Sequence, residues 1–79
     1  MKELLIYLSS LIVDEADKLV VQEIETDYSK KLLIKVSKRD VKNIIGREGK
    51  TIKTIRNIIC MAALAKGMKK RIPIEIIDE

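Results

Sequence analysis

Ile44-Ile45-Gly46-Arg47-Glu48-Gly49-Lys50-Thr51-Ile52 decides how this chain is read. Gly46 and Gly49 stand between two short isoleucine clusters, with Arg47 and Lys50 as basic neighbours. Glycine has no Cβ, takes positive φ freely and lets a ligand approach the backbone, so two in four residues predict a tight reversal between helices. A helix beginning at Lys50 turns its unpaired N–H groups and the positive end of its dipole outward. Such an end accepts phosphate, and Arg47 and Lys50 add full charges that suit a polyanion.

Two other motifs share these letters. Gly49-Lys50-Thr51 matches the end of a P-loop, but that motif needs a glycine where Ile44 stands and a strand before the loop. A helix-turn-helix also joins helices through a glycine-bearing turn, yet its second helix must be polar enough to lie in a major groove. Here that helix is mostly apolar after Asn57. Both alternatives therefore fail on the flanking residues.

With 79 residues the chain reads as one small domain, 1–79. A domain of that size buries only about 60% of its unfolded surface, so self-association is expected. There is no Trp, Phe or His, and Tyr7 and Tyr28 are the only aromatics. This argues against reading bases by a row of stacked aromatics, as RRM and OB modules do. A disulfide framework and a Cys/His zinc site are excluded, and no cofactor is implied. Cys60 lies in an apolar run and reads as a small core hydrophobe, since no histidine exists to activate it. The acids form no pair suited to acid/base work, so no enzyme is expected.

The net charge of +4 conceals a strong polarity. Residues 1–29 hold two Lys against seven Asp or Glu, residues 30–71 hold fourteen Lys or Arg against Asp40 and Glu48, and residues 72–79 add three acids. A charge run is often no more than a solvated face. This one is centred on the glycine turn, which favours an electrostatic footprint for nucleic acid.

Leu4, Leu5, Leu8, Leu11 and Ile12 recur at helical spacing and predict an amphipathic helix over 2–13, with Ser9 and Ser10 turned away from the core. A signal peptide is the rival reading, but Glu3, Asp14 and Glu15 replace any small-residue cleavage site, and an apolar run of about ten is too short to span a bilayer. A cytoplasmic protein without membrane association is the simplest expectation. Asp14 to Lys18 is a polar break; Leu19–Thr26 predicts a strand, Asp27–Lys30 a turn, and Leu32, Ile34 and Val36 the second strand of a hairpin.

Ser37 is a good N-cap with Asp40 placed as a reciprocal capping acid, predicting a helix from Lys38 to about Ile45. After the turn a second helix is expected from Lys50 to Lys66, with Ile52, Ile55, Ile59, Ala62 and Ala63 as its core stripe. Gly67, with Lys66, Lys69 and Lys70, marks its end. A last strand is expected over Arg71–Ile77 with Ile72, Ile74 and Ile76 facing in; Pro73 cannot donate to a ladder, so the strand starts there or lies at an edge. The order helix, strand, strand, helix, helix, strand predicts an α+β fold, a three-stranded sheet with helices packed on one face.

That order, together with Ile44-Ile45-Gly46-Arg47-Glu48-Gly49-Lys50-Thr51-Ile52, resembles the K-homology (KH) family in its type II topology. The likeness covers essentially the whole chain and extends to small free-standing bacterial members. It implies a groove for about four nucleotides of single-stranded RNA, with the GxxG loop clamping the backbone. On this chain it makes Gly46, Arg47, Glu48 and Gly49 the loop, with Lys50 and Lys53 supporting phosphates from the next helix. Ile45 and Ile52 become the groove floor, Leu32–Val36 the opposite wall, and Lys30 and Lys31 a variable loop beside it. Glu48 departs from the pattern, since it places an acid beside the phosphate path. The resemblance also implies a homodimer, and pairing with a larger protein that carries its own KH domain. The alternative it leaves open is a protein-interaction subunit with little RNA binding of its own; single-stranded DNA is a third possibility.

One excess bears on the dimer. Ile58 to Ala65 is apolar without interruption, so Ile58, Met61 and Ala65 fall on a side of the helix about 100° from the core stripe. Either the N-terminal helix or a second copy of the chain must cover them.

Overall fold

A computed structural model describes residues 1–68 and 72–78. Its elements run α1 (Lys2–Ser10), β1 (Val20–Glu25), β2 (Lys30–Val36), α2 (Lys38–Ile45), α3 (Lys50–Ala65) and β3 (Ile74–Asp78). Short 3₁₀ turns at Ala16–Lys18 and Arg47–Gly49 fill the α1–β1 and α2–α3 connections. The expected start of the last strand at Arg71, and the basic helix-end residues Lys69 and Lys70, lie outside the described residues.

The sheet has the order β1-β2-β3. β1 and β2 form an antiparallel hairpin with Val21 opposite Ile34, closed at its tip by Thr26, whose Oγ1 accepts from Ser29 N at 3.0 Å. β3 joins the other side of β2 in parallel, with Leu32 opposite Ile74 and Ile34 opposite Ile76. Parallel neighbours need a crossover, and α2 and α3 supply it. Side chains alternate across a strand, so Val21, Leu32, Ile34, Val36 and Ile74 share one face. That face meets Leu5, Ile44, Ile52, Ile55, Ile59 and Ala63 of the three helices in a single aliphatic core. The other face carries Val20, Ile24, Leu33 and Ile77 among Gln22, Lys31, Lys35 and Glu75. The expected architecture, a three-stranded sheet with helices on one face, is therefore the observed one.

α1 corrects the sequence reading in two respects. It ends at Ser10 rather than 13, where Ser9 O accepts from both Ile12 N and Val13 N and turns the chain. Ser9, expected to face away, is fully buried one turn from Leu5, whereas Leu11, expected in the stripe, is mostly exposed. The buried line runs through Leu5 and Ser9, rotated from the leucine count, because a serine is small enough to let the helix approach its neighbours. The Ser9 hydroxyl has no hydrogen-bond partner among the described residues.

α2 starts as expected: Ser37 has extended backbone and its Oγ accepts from Asp40 N at 3.3 Å. Asp40 does something else. Its fully buried carboxylate reaches across to the α1–β1 connection, where Oδ1 accepts from Asp14 N at 2.8 Å and Oδ2 from Glu15 N at 2.9 Å. Asn43 donates a third bond at 2.8 Å, and Ser37 Oγ lies 3.3 Å from Oδ2. The Asp14 amide, seconded by Glu15, Asn43 and Ser37, outweighs the opposing effect of burial and holds the Asp40 pKa down at about 2.

Candidate nucleic-acid interface

The loop is made by departures from ordinary backbone at three of its four residues. Gly46 has φ 75° and ψ 175°, Glu48 φ 57°, and Gly49 φ 74° and ψ 14°. The two glycines are required for different reasons. A Cβ on Gly46 would collide with the side chain of Thr51 and sit 2.9 Å from Thr51 N, in a backbone region open essentially to glycine alone. Nothing lies within 4 Å of the corresponding point on Gly49, so there the missing side chain leaves open space beside the backbone. Gly46 N donates to Lys42 O at 2.9 Å and Gly49 N to Gly46 O at 3.2 Å, which closes α2 and folds the loop.

α3 then begins at Lys50 with no side chain capping it. Lys50 N donates to Arg47 O, and the N–H groups of the turn that follows stand at the positive end of the helix dipole. Arg47, Glu48 and Lys50 are all exposed, and Lys50 Nζ lies 3.9 Å from a Glu48 carboxylate oxygen. The acid noted in the sequence thus sits against the cation expected to meet phosphate.

A cleft of about 510 Å³ lies along α3, its lining beginning at Lys53, one helical turn beyond Gly49. Lys53, Arg56, Asn57 and Cys60 line its helical side, and Ile72, Pro73 and Ile74 its other side. Residues three and four apart share a helix face, so Gly49, Lys53, Asn57 and Cys60 form one continuous line from loop to cleft. Arg56 bridges the two walls, its Nη2 donating to Ile74 O at 3.2 Å.

Lys53 is the cleft residue expected from the sequence. The expected opposite wall is corrected: Leu32–Val36 is β2, the central strand, hydrogen-bonded on both sides, and the wall is the approach to the edge strand β3. Lys30 and Lys31 open β2, where Lys30 Nζ lies 3.5 Å from Glu23 and Lys31 Nζ 3.4 Å from Glu75; neither lines the cleft. Ile52 is a core residue, and Ile45, next to the loop, is 39% exposed. Cys60, expected in the core, is only half-buried and faces the cleft. Arg56, Asn57, Ile72, Pro73 and Ile74 are site residues that the sequence reading misses. The polar residues 53, 56 and 57, recurring at helical spacing after the loop, are the available signal.

On the opposite side of α3 an apolar groove of about 300 Å³ runs between Leu8, Leu11 and Ile12 of the N-terminal segment and Thr51, Thr54, Ile55 and Ile58. Ile58 is half-buried where it lines this groove. Met61 is 69% exposed, Leu64 63%, and Ala65 is exposed too. Among the described residues there is no cluster of His, Cys, Asp or Glu suited to a metal ion. No described helix is long and apolar enough to cross a membrane.

A KhpA/KhpB KH-domain family model matches residues 2–76. The chain belongs to the KhpA/KhpB KH-domain family. Its relatives include the RNA-binding protein KhpA of Clostridium acetobutylicum, 36% identical over 77 residues, which cover 98% of this chain and all of the relative. KhpA of Chlamydia pneumoniae is 33% identical over 79 residues, covering 100% of this chain and 99% of that one. KhpA of Listeria monocytogenes is 33% identical over 78 residues, covering 99% and 100%. Among solved structures, Era in complex with MgGDPNP and nucleotides 1506–1542 of 16S ribosomal RNA matches with a TM-score of 0.67 at 17% identity. The match covers 99% of this chain and 30% of Era, a likeness of fold.

Proposed function

We propose that residues 1–79 act as a single KH domain that binds single-stranded RNA, without catalysis, in the cytoplasm as an RNA chaperone or post-transcriptional regulator. The observation that carries this reading is an open glycine loop one helical turn from a cleft on the same face of α3. A strand's phosphates would lie over Gly46–Gly49 and the positive end of the α3 dipole, within reach of Arg47, Lys50 and Lys53. About four nucleotides would then descend between α3 and Ile72–Ile74. The cleft walls are aliphatic and basic with no aromatic platform, which favours a modest affinity with little sequence preference. The names of the relatives, RNA-binding protein KhpA, support the same ligand.

The test is a gel shift or fluorescence anisotropy on a labelled single-stranded oligoribonucleotide. With about three phosphates neutralised by Arg47, Lys50 and Lys53, log affinity should fall against log salt with a slope near −2, from roughly −0.7 per phosphate for single strands. A slope indistinguishable from zero would remove the basic cleft as the binding surface. Equal affinity for the matching deoxyribonucleotide would widen the ligand to single strands of either kind.

A second reading is favoured by Met61, Leu64 and Ala65, which α1 leaves uncovered. In it the chain forms a homodimer through this side of α3, or pairs there with a larger KH protein, leaving both loops free. Met61→Asp should give a folded monomer by light scattering, and one with weaker RNA binding if two grooves share a strand. A wild-type monomer at micromolar concentration would rule out the homodimer.

A further inference from the structure

Arg56 differs from the other cations of the cleft. Lys53 makes no hydrogen bond or ion pair to another described residue, whereas Arg56 spends one donor on the carbonyl of Ile74 at 3.2 Å. That carbonyl belongs to the first residue of β3, just after Pro73. Leu32 N takes the Pro73 carbonyl at 2.9 Å, and backbone groups alternate sides along a parallel ladder. Ile74 therefore turns its N–H and C=O away from β2, toward the free edge and the cleft. Pro73 has no N–H of its own to offer. The start of the wall strand is thus held from one side by the sheet and from the other by a single guanidinium rooted on the helix.

We infer that Arg56 is a positioning residue that sets the distance between α3 and the edge strand, and so fixes the width of the cleft before any ligand arrives. A guanidinium suits this role because it is a rigid planar fork with five N–H donors, and one bond to Ile74 leaves four for a phosphate or base edge on the same wall. Lysine, with a compact and strongly hydrated ammonium, would keep the charge without the fork. Arg56 has no acidic partner among the described residues, so its orientation comes from the Ile74 carbonyl. The ligand served is the same single-stranded RNA, and to that extent the inference rests on the proposed function.

The experiment sets Arg56→Ala against Lys53→Ala, each of which removes one positive charge from the same wall. Amide hydrogen exchange on the RNA-free protein is read first, since it does not depend on the ligand. Arg56→Ala should raise exchange of the Glu75 and Ile77 amides, the two in β3 that point at β2, about tenfold, with β1 and α2 unchanged, whereas Lys53→Ala should leave all of them at wild-type rates. Anisotropy with a labelled oligoribonucleotide is read second. Lys53→Ala should weaken binding about fivefold at 0.1 M salt, the effect of one phosphate contact on a single strand. Arg56→Ala should lose at least tenfold with no comparable fall in Tm, and Arg56→Lys should recover the salt slope but not the full affinity. Wild-type exchange of β3 in Arg56→Ala, or equal affinity losses in the two alanine variants, would overturn the positioning role. Should Arg56→Ala not fold, Arg56→Gln carries both readouts with the same expected signs. Failure of the wild-type protein to bind RNA at all would instead sink the proposed function, with the exchange result still deciding whether Arg56 holds the strand.

Discussion

At the N-terminal end of α2, Ser37 and Asp40 are buried and hydrogen-bonded, and Asp40 ties in a connection 25 and 26 residues away. At its C-terminal end the backbone runs through positive φ at Gly46, Glu48 and Gly49, and the charged side chains project into solvent. The basic segment holds two acids, one near each end of this helix. Asp40 serves as an internal acceptor for backbone N–H groups, and Glu48 stands exposed beside Lys50. A helix pinned at one end can present a strained, open loop at the other without losing its place on the sheet. Stability and the proposed ligand contact are thereby separated along one short element.

The comparison breaks most visibly at Asp40. Asp40→Ala leaves the amides of Asp14 and Glu15 and the Asn43 side chain without their acceptor, and buried unpaired donors are costly. A fall in Tm on the order of 10 °C is expected by calorimetry, with RNA affinity per folded molecule unchanged. The same group gives an acid limb. Its folded pKa of about 2 lies below the ordinary 3.8, so its contribution is complete above about 3.8 and is lost as pH falls through 2. Wild type should lose Tm over that window, and Asp40→Asn should lose this part of the dependence.

The two glycines come next. Gly46→Ala forces a Cβ into Thr51 and should cost about 2 kcal/mol by chemical denaturation and abolish RNA binding. Gly49→Ala meets open space and pays only for its left-handed backbone, about 1 kcal/mol. It should stay folded and bind several-fold more weakly. Equal costs at the two sites would show that Thr51 yields to the added Cβ.

Effects on stability should shrink further at the loop's side chains. Replacing both Arg47 and Glu48 by Asp puts two acids on the phosphate path, yet neither position is buried. Binding should vanish while circular dichroism and Tm stay near wild type; unchanged binding would remove the loop from the site. The smallest change is Glu48→Gln, which frees Lys50 from its carboxylate neighbour. A two- to threefold gain in RNA affinity at low salt is expected, fading as salt rises.

Much of this was legible in the residues. Ser37 and the glycine pair carry local physics of capping and positive φ, and α2 and the start of α3 fall where those signals place them. The hairpin was legible for the same reason, to within two residues at each strand end. What failed was everything set by packing at a distance. Nothing in the order of strands tells that β3 returns beside β2 and leaves its own edge to face α3, so the groove wall went to the wrong strand. Asp40 has the spacing of a capping acid, and its true partners are amides that only the closed fold brings near. Ser9 and Leu11 exchanged roles because a leucine count fixes the face of a short helix poorly. Cys60 looked like core for its apolar neighbours, but a helix in a two-layer domain has a side the sheet cannot reach.

The parallel pairing of β3 with β2 has a consequence for when the cleft exists. Its helical wall and loop lie between residues 46 and 60, whereas its other wall is the last of the described elements in chain order. A chain emerging from the ribosome could complete the hairpin and both loop-flanking helices and still present only half a groove. Long-range parallel pairing is also among the slower contacts to form. Any grip that needs both walls would therefore wait for β3 to pair, a late and all-at-once property of the closed domain.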